Sequence, residues 1–458
     1  FKRSDITKAI DEILEKVENL RGDGKARQLG FAVGPLALDH TDDELRTTIR
    51  ESFKIAEEKN VAVVFHIDDS MFWLRRSDLW KDKNNVEWSD WSGTMHLRRF
   101  VGWAPTVLAP QMCYESPTLR KEIERIAKDV IGAEIRKGID GLKSKNKEYL
   151  FAGVIAGWET HLADHRYIDK DNQDANRLGI ERKQIGYCSL SLRGFSAKNP
   201  PKDFDAELED VVHDWAEFWA KNLYDAGISK DRIYTHVSYP QFPKGVESAT
   251  INQLSRKFGF EANSLGFVHA APRTAFNQYS RPGISTYTAG YEEDGYDGSI
   301  AGLIKELKNQ GIPLWASAEG TNTGVGGVGT TISWEGYLGG LFNNGAALVN
   351  IFAWQEPEDS GSPYGKATKS KEAIEAYKQF LRGEALKKDE TSSAGTSSAN
   401  DLPSKLQKIQ KELPLWIQKN PSRQSEIELL MQKLDKYIKD GNPEEAEKVA
   451  DEILELIR

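Results

Sequence analysis

Tyr149-Leu-Phe-Ala-Gly-Val-Ile-Ala-Gly-Trp-Glu-Thr160 is an apolar run that ends abruptly on an aromatic residue and a carboxylate. A second run, Ile312-Pro-Leu-Trp-Ala-Ser-Ala-Glu-Gly320, ends on a glutamate in a similar way far along the chain. Short continuous apolar runs bounded by turn residues are typical of strands buried in a parallel sheet. Each run therefore predicts a core strand that delivers a glutamate, Glu159 or Glu319, to its carboxyl end.

The sequence around these runs alternates between strand-like and amphipathic helical segments from residue 28 to residue 383, a pattern typical of parallel β/α architecture. Eight segments are predicted as strands: 28–33, 61–67, 106–109, 150–157, 232–237, 283–288, 313–318 and 346–352. The predicted fold class is α/β, and specifically a (β/α)8 TIM barrel rather than a doubly wound sheet. That barrel carries its chemistry on the loops that follow the strands, where both glutamates fall.

Four regions are predicted along the chain. Residues 1–27 form an N-terminal helical segment, and residues 28–388 form the barrel. Residues 389–401 are small and polar, which is typical of a flexible linker. Residues 402–458 carry apolar positions at helical spacing, which predicts a helical hairpin or a three-helix bundle. We expect this last region to serve in docking or oligomer contacts rather than in chemistry.

The composition of the chain disfavours several classes of protein. With 458 residues, 39% of them hydrophobic, the chain is long enough to bury a large core. Its net charge of −9 disfavours a nucleic-acid footprint, and the absence of any apolar run of about 18 residues excludes a membrane span. Cys113 and Cys188 are too few for a disulfide framework and are expected to be buried thiols. The chain begins at Phe1 without a methionine; a processed leader, hence a periplasmic or extracellular location, or a trimmed terminus would explain this.

Two carboxylates on distant strand ends indicate glycoside hydrolysis of a carbohydrate substrate, with no cofactor. Trp158 would partly desolvate Glu159 and raise its pKa, which suits a general acid. Backbone amides around Gly320 would keep Glu319 ionised, which suits a nucleophile. Carboxyl groups about 5–5.5 Å apart imply retention of anomeric configuration, and about 6.5–9.5 Å implies inversion.

These features resemble clan A glycoside hydrolases, barrel enzymes whose acid/base and nucleophile follow the fourth and seventh strands. Residues 113–120, Cys-Tyr-Glu-Ser-Pro-Thr-Leu-Arg, resemble the Ser-Pro-x-x-Arg segment of glycoside hydrolase family 42, the β-galactosidase-like family, and residues 155–159 resemble its fourth strand. The resemblance covers the barrel only. Most clan A members have asparagine where this chain has Trp158, which predicts an atypical member.

The resemblance implies supporting residues. Tyr287 is expected to hydrogen-bond the nucleophile, and His236 to contact both the sugar and a carboxylate. Trp354 is expected to pack against the face of the sugar ring in its subsite. Substrate contacts are also expected at Trp158 and, after the second strand, at His66, Asp68, Trp73 and Trp103, the last two in a loop with five tryptophans. Packing of that loop onto the barrel explains the tryptophans equally well.

Two other functional classes stay open. The missing asparagine favours a non-catalytic carbohydrate-binding barrel, in which one carboxylate has another role. His161, Asp164 and His165, just beyond Glu159, offer ligands for a metal-dependent barrel hydrolase.

Overall fold

The computed structural model describes residues 2–101, 108–163, 165–168, 170–237, 272–287, 304, 307–323, 332–358, 362–386, 402–439 and 442–457. Its centre is a parallel sheet of seven described strands in sequential order, each paired with the next along the chain. The strands are β1 Gly30–Leu36, β2 Ala62–Ile67, β3 Phe151–Thr160, β4 Ile233–Val237, β5 Gly283–Ser285, β6 Trp315–Gly320 and β7 Ala346–Ile351.

Helices surround this sheet and continue beyond it. In the described residues they are α1 Arg3–Lys16, α2 Asp42–Lys59, α3 Ser77–Trp80, α4 Pro117–Arg125, α5 Ala133–Lys143, α6 Gln173–Arg177, α7 Tyr187–Leu192, α8 Phe204–Asp225, α9 Trp334–Phe342, α10 Pro363–Thr368, α11 Lys371–Arg382, α12 Leu402–Lys419, α13 Gln424–Lys439 and α14 Pro443–Ile457. A π-helical segment, Ile126–Gly132, joins α4 to α5. The start of α2 is fixed locally, because Thr41 and Glu44 form a reciprocal capping box.

Parallel strands in sequential order with helical crossovers make this an α/β fold of the TIM-barrel type, and the predicted fold class is confirmed. One predicted strand is wrong in detail. β2 pairs directly with β3, from Val63↔Phe151 to Ile67↔Ala156, so no strand lies between them. Of the segment 106–109, Leu108 forms only an isolated bridge with Arg99, and residues 102–107 lie outside the described part. Glu159 therefore ends the third described strand and Glu319 the sixth.

The sheet is open between its first and last strands in the part of the chain that is described. No pairing joins β1 to β7 there, and a cavity of about 1180 Å³ lies along both strands. The cavity extends from side chains of α1 at one end to Trp158, Glu319 and Trp354 at the other. Glu319 therefore faces a long cleft with apolar walls.

The last three helices have a core of their own, since the buried side chains of α12, α13 and α14 form one cluster that includes Ile409, Leu413, Ile427 and Ile453. The predicted linker, 389–401, lies outside the described residues. Cys113 and Cys188 are both buried and free. Among the described helices, none combines the length and the apolar character that crossing a bilayer requires.

Candidate active site

Glu159 lies where β3 bends. Its backbone has a φ of 51°, in the left-handed region that costs a non-glycine residue roughly 1–2 kcal/mol. The fully buried Asp69 holds this bend by accepting hydrogen bonds from the Trp158 backbone N–H (3.0 Å), the Thr160 hydroxyl (2.8 Å) and the Trp215 indole (3.0 Å). The strain at Glu159 is thus stabilised by a carboxylate from the loop after β2.

Glu319 lies opposite, near the end of β6, and its side chain is held from β5. The Tyr287 hydroxyl donates to Glu319 Oε1 at 2.7 Å, and Ser285 is in register with Glu319 across the two strands. The Ser285 hydroxyl donates to Glu159 Oε1 at 3.1 Å. Ser285 at the end of β5 and Tyr287 two residues beyond it therefore supply one donor to each carboxylate.

The two carboxylates influence each other's ionisation. Burial raises the pKa of Glu319 to about 8, and repulsion from Glu159 adds to the rise, while the Tyr287 hydrogen bond opposes it. The backbone amides predicted to keep Glu319 ionised are not among the groups that shift its pKa. With a pKa of about 8, the pair retains one proton at neutral pH.

Two histidines complete the floor of the site. His66 from β2 and His236 from β4 meet with Nε2 and Nδ1 3.0 Å apart, and both are buried. They come from alternate strands, which is how side chains inside a β/α barrel form layers. Burial lowers the pKa of His66 to about 3 and holds that of His236 well below its usual value. His236 Nε2 also contacts Ser285 Oγ at 2.9 Å, which links the pair to Glu159.

Aromatic rings border the site on the cavity side. The Trp158 ring is half-buried and stacks on His66, with centroids 4.3 Å apart and planes 4° from parallel. Trp354, just after β7, lines the same cavity, and Lys369 Nζ lies 5.2 Å from its ring centroid. The Trp354 indole N–H is buried without a partner within the described structure. Both tryptophans therefore line the cavity beside Glu319.

The remaining predicted contacts lie elsewhere. Trp73 is fully buried and donates its indole N–H to the Pro110 carbonyl, so its ring packs in the core and has no face in the cavity. Asp68 is buried and accepts hydrogen bonds from the backbone of residues 70–72, which shapes the loop after β2. Burial raises the pKa of Asp68 to about 7. Trp103 lies outside the described residues.

The other described tryptophans of this loop also make local contacts. The indole of Trp80 donates to the Leu74 carbonyl and that of Trp88 to the Lys83 carbonyl. Trp91 packs edge-on against Tyr187, with ring centroids 5.0 Å apart. Packing therefore accounts for the tryptophan density in the part of the loop that is described.

The histidines after Glu159 do not converge as metal ligands. His161 contacts the Glu159 carbonyl through Nδ1 and the buried Arg99 guanidinium through Nε2. His165 pairs with His96 at 2.8 Å. Asp164 lies outside the described residues. Among described residues, the grouping with metal-ligand spacing is a different one: His66, His236 and Glu319.

Sequence reasoning missed Ser285. It lies two positions before Tyr287, and residues two apart on a strand share a face. This two-residue repeat could have identified Ser285, since a hydroxyl two residues before the predicted tyrosine would face the same carboxylates.

Comparison with known proteins identifies fold neighbours and no family. No family model matches the chain, and no curated protein matches it. Solved structures with a similar fold include a β-galactosidase from the psychrophilic Marinomonas ef1 (TM-score 0.44, 11% identity, 86% of this chain and 60% of that one). They also include the β-amylase catalytic domain of Paenibacillus polymyxa (TM-score 0.46, 9% identity, 84% and 95%) and a broad-specificity endoglucanase from an uncultured bacterium (TM-score 0.38, 7% identity, 81% and 84%).

These neighbours are glycoside hydrolases by their descriptions. The chain spans 60% of the length of the β-galactosidase. At such low identities and TM-scores, the similarities assign no activity to this chain, and the resemblance to family 42 stays a prediction.

Proposed function

We propose that the chain is a retaining glycoside hydrolase that acts on an oligosaccharide or polysaccharide, with Glu159 as acid/base and Glu319 as nucleophile. The observation that carries this proposal is that two neighbouring hydroxyls hold the two carboxylates, since Ser285 donates to Glu159 Oε1 at 3.1 Å and Tyr287 donates to Glu319 Oε1 at 2.7 Å. A glycosidase needs one protonated and one ionised carboxyl facing the same bond, and a coupled pair supplies that state.

The proposed chemistry has two steps. Glu159 gives its proton to the glycosidic oxygen while a Glu319 oxygen attacks the anomeric carbon, which releases the leaving alcohol and forms a glycosyl ester. Glu159 then removes a proton from water, which attacks the anomeric carbon and frees Glu319. Donation from Tyr287 to Oε1 stabilises negative charge on Glu319. This favours the proton residing on Glu159 at the moment of attack.

The substrate side of the proposal rests on the cavity. At about 1180 Å³ it is larger than a single sugar ring needs. Trp158 and Trp354 offer aromatic surface, which suits the C–H faces of sugars. Several rings would bind along the cleft between β1 and β7.

The test begins with a panel of 4-nitrophenyl glycosides and oligosaccharides, assayed in chelator. We expect hydrolysis with a first-formed product of retained anomeric configuration by NMR. Glu159→Gln and Glu319→Gln should each lower kcat by about 10²–10⁴-fold while ligand binding persists. Glu124→Gln, an exposed carboxylate on α4 paired with Lys128, is the matched control and should keep wild-type kcat.

A second measurement identifies the nucleophile. A 2-fluoro glycoside with a good leaving group should inactivate the protein, and peptide mass spectrometry should find the sugar on Glu319. Labelling of another residue would overturn the assignment of roles. If the wild type binds oligosaccharides and hydrolyses none, the chain is instead a carbohydrate-binding barrel.

A further inference from the structure

The hydrogen bonds around His236 fix which of its nitrogens carries the proton. The Ser285 hydroxyl has one hydrogen, which it donates to Glu159 Oε1. His236 Nε2 lies 2.9 Å from Ser285 Oγ. Because the Ser285 hydrogen is already donated to Glu159, His236 Nε2 is the donor in this contact and Ser285 Oγ the acceptor. A neutral imidazole carries one N–H, so His236 Nδ1 presents a lone pair toward His66.

The same reasoning applies to His66. Its Nε2 faces the His236 lone pair at 3.0 Å, and its Nδ1 is left for the Gly157 backbone. When the His66 proton is on Nδ1, Nε2 is also a lone-pair nitrogen. Two lone pairs that face each other at 3.0 Å would repel, and a cation bound to both nitrogens would relieve that repulsion.

Glu319 supplies a third ligand atom. Ligand atoms of His66, His236 and Glu319 all lie within 4.8 Å of one another, and all three residues are buried. Two imidazole nitrogens bound to one tetrahedral zinc ion at about 2.0–2.1 Å are roughly 3.3–3.4 Å apart, so the two rings, 3.0 Å apart here, need only a small separation to bind one ion. Two histidines and one carboxylate beside an open cavity form the ligand set of three-ligand zinc sites.

We propose that His66 Nε2, His236 Nδ1 and the Glu319 carboxylate bind one divalent transition-metal ion of the zinc class. The outer contacts to Gly157 and Ser285 orient the two rings, as such contacts do around metal-bound histidines. The site differs from the ligand set predicted from His161, Asp164 and His165.

One consequence rests on the proposed function. A metal-bound Glu319 carboxylate cannot attack an anomeric carbon, so zinc inhibits the glycosidase and competes with substrate. Removing the metal restores activity. The ion is thus a regulator of the site and takes no part in the reaction.

Binding is tested without reference to activity. Full-length protein stripped with chelator is titrated with zinc chloride at pH 7.5 by calorimetry. We expect one equivalent to bind at micromolar or lower concentration. His236→Ala and His66→Gln should each weaken binding at least about 10-fold. His213→Ala, which changes a surface histidine paired with Asp214 on α8, is the control and should bind as the wild type does.

Circular dichroism and Tm show whether each variant folds. If both histidine variants unfold, cobalt titration of the wild type decides, because visible absorption bands of one tetrahedral equivalent support the site and six-coordinate spectra overturn it. Absence of zinc binding up to 1 mM, or equal binding by all variants, would also overturn it.

The two proposals fail in different ways. Zinc binding with an activity that requires zinc would leave the metal site standing and refute the metal-free double displacement. Turnover in chelator with labelling of Glu319, but no zinc binding, would refute the metal site alone.

Discussion

At the scale of single residues, the site depends on one proton shared by two buried carboxyls. Glu319 has a pKa near 8 because of burial and the charge of Glu159. Below that pH the pair keeps its proton, and above it both groups ionise and no acid remains. We therefore expect kcat/KM, measured in chelator, to fall as the pH rises through about 8.

Changing Tyr287 to Phe tests whether Glu319 causes this fall in kcat/KM at high pH, the basic limb of the pH profile. The Tyr287 hydrogen bond lowers the pKa of Glu319, so its loss should raise that pKa and move the basic limb of kcat/KM to higher pH. It should also lower kcat, because charge on Glu319 loses its donor. Tyr224→Phe, an exposed tyrosine at the end of α8, should leave the profile unchanged. A basic limb that stays in place in Y287F would exclude Glu319 as its source.

The same raised pKa makes Glu319 a pH-dependent element of stability. Its folded pKa of about 8 exceeds the ordinary value of 4.5. The stability it contributes is therefore fully present below pH 4.5 and is lost as the pH rises through about 8.

Glu319→Gln should remove this dependence. We expect the Tm of the variant minus that of the wild type to increase as the pH rises from 5 to 8 and to change little below pH 4.5. Differential scanning calorimetry in chelator measures both Tm values. A Tm difference that is constant across this range would contradict the assigned pKa.

At the scale of elements, the bend of β3 is held by Asp69. Asp69→Asn removes one acceptor oxygen from the set that holds Trp158, Thr160 and Trp215. An unsatisfied buried donor costs about 1–3 kcal/mol, so the Tm should fall. Glu159 would leave its position, and kcat should fall about 10- to 100-fold with a smaller change in KM.

Asp23→Asn is the matched control for this variant. Asp23 likewise accepts three hydrogen bonds, here all from the backbone N–H groups of residues 25–27, but in an exposed turn. The Asp23→Asn substitution should leave kcat unchanged. A D69N protein that loses Tm but keeps kcat would show that Asp69 supports the core and not the position of Glu159.

The sequence revealed most of the strands because buried parallel strands are continuous apolar runs. The predicted third strand failed because residues 106–109 are a run of four, too short for a pattern to distinguish a strand from other buried chain. The predicted groups Glu159, Glu319, Tyr287, His66 and His236 do converge. Their mutual contacts were beyond prediction, since the His66–His236 distance depends on how the sheet curves between β2 and β4. The raised pKa of Glu319 was beyond prediction for a similar reason, because burial is a property of the folded site.

At the scale of the whole molecule, the C-terminal helices α12–α14 form a separate core. We expect a chain ending at residue 386 to keep kcat/KM within about twofold of the full-length value, because the proposed catalytic residues all lie before that point. Leu413→Asp, which places a charge in the core of the bundle, should likewise leave kcat/KM unchanged in the full chain while it lowers the helical signal. Loss of activity in both variants would show that the bundle supports the barrel.

The absence of a described ladder between β1 and β7 bears on how the chain assembles. Every described strand pairing joins neighbours in strand order, so none requires the two ends of the barrel to find each other. Pairing of neighbours closes shorter loops than a ladder between the first and last strands would. During synthesis each strand would emerge beside a partner that is already in place. β6 and β7 come late in that order, so the cleft, with Glu319 on one strand and Trp354 just after the other, is completed last.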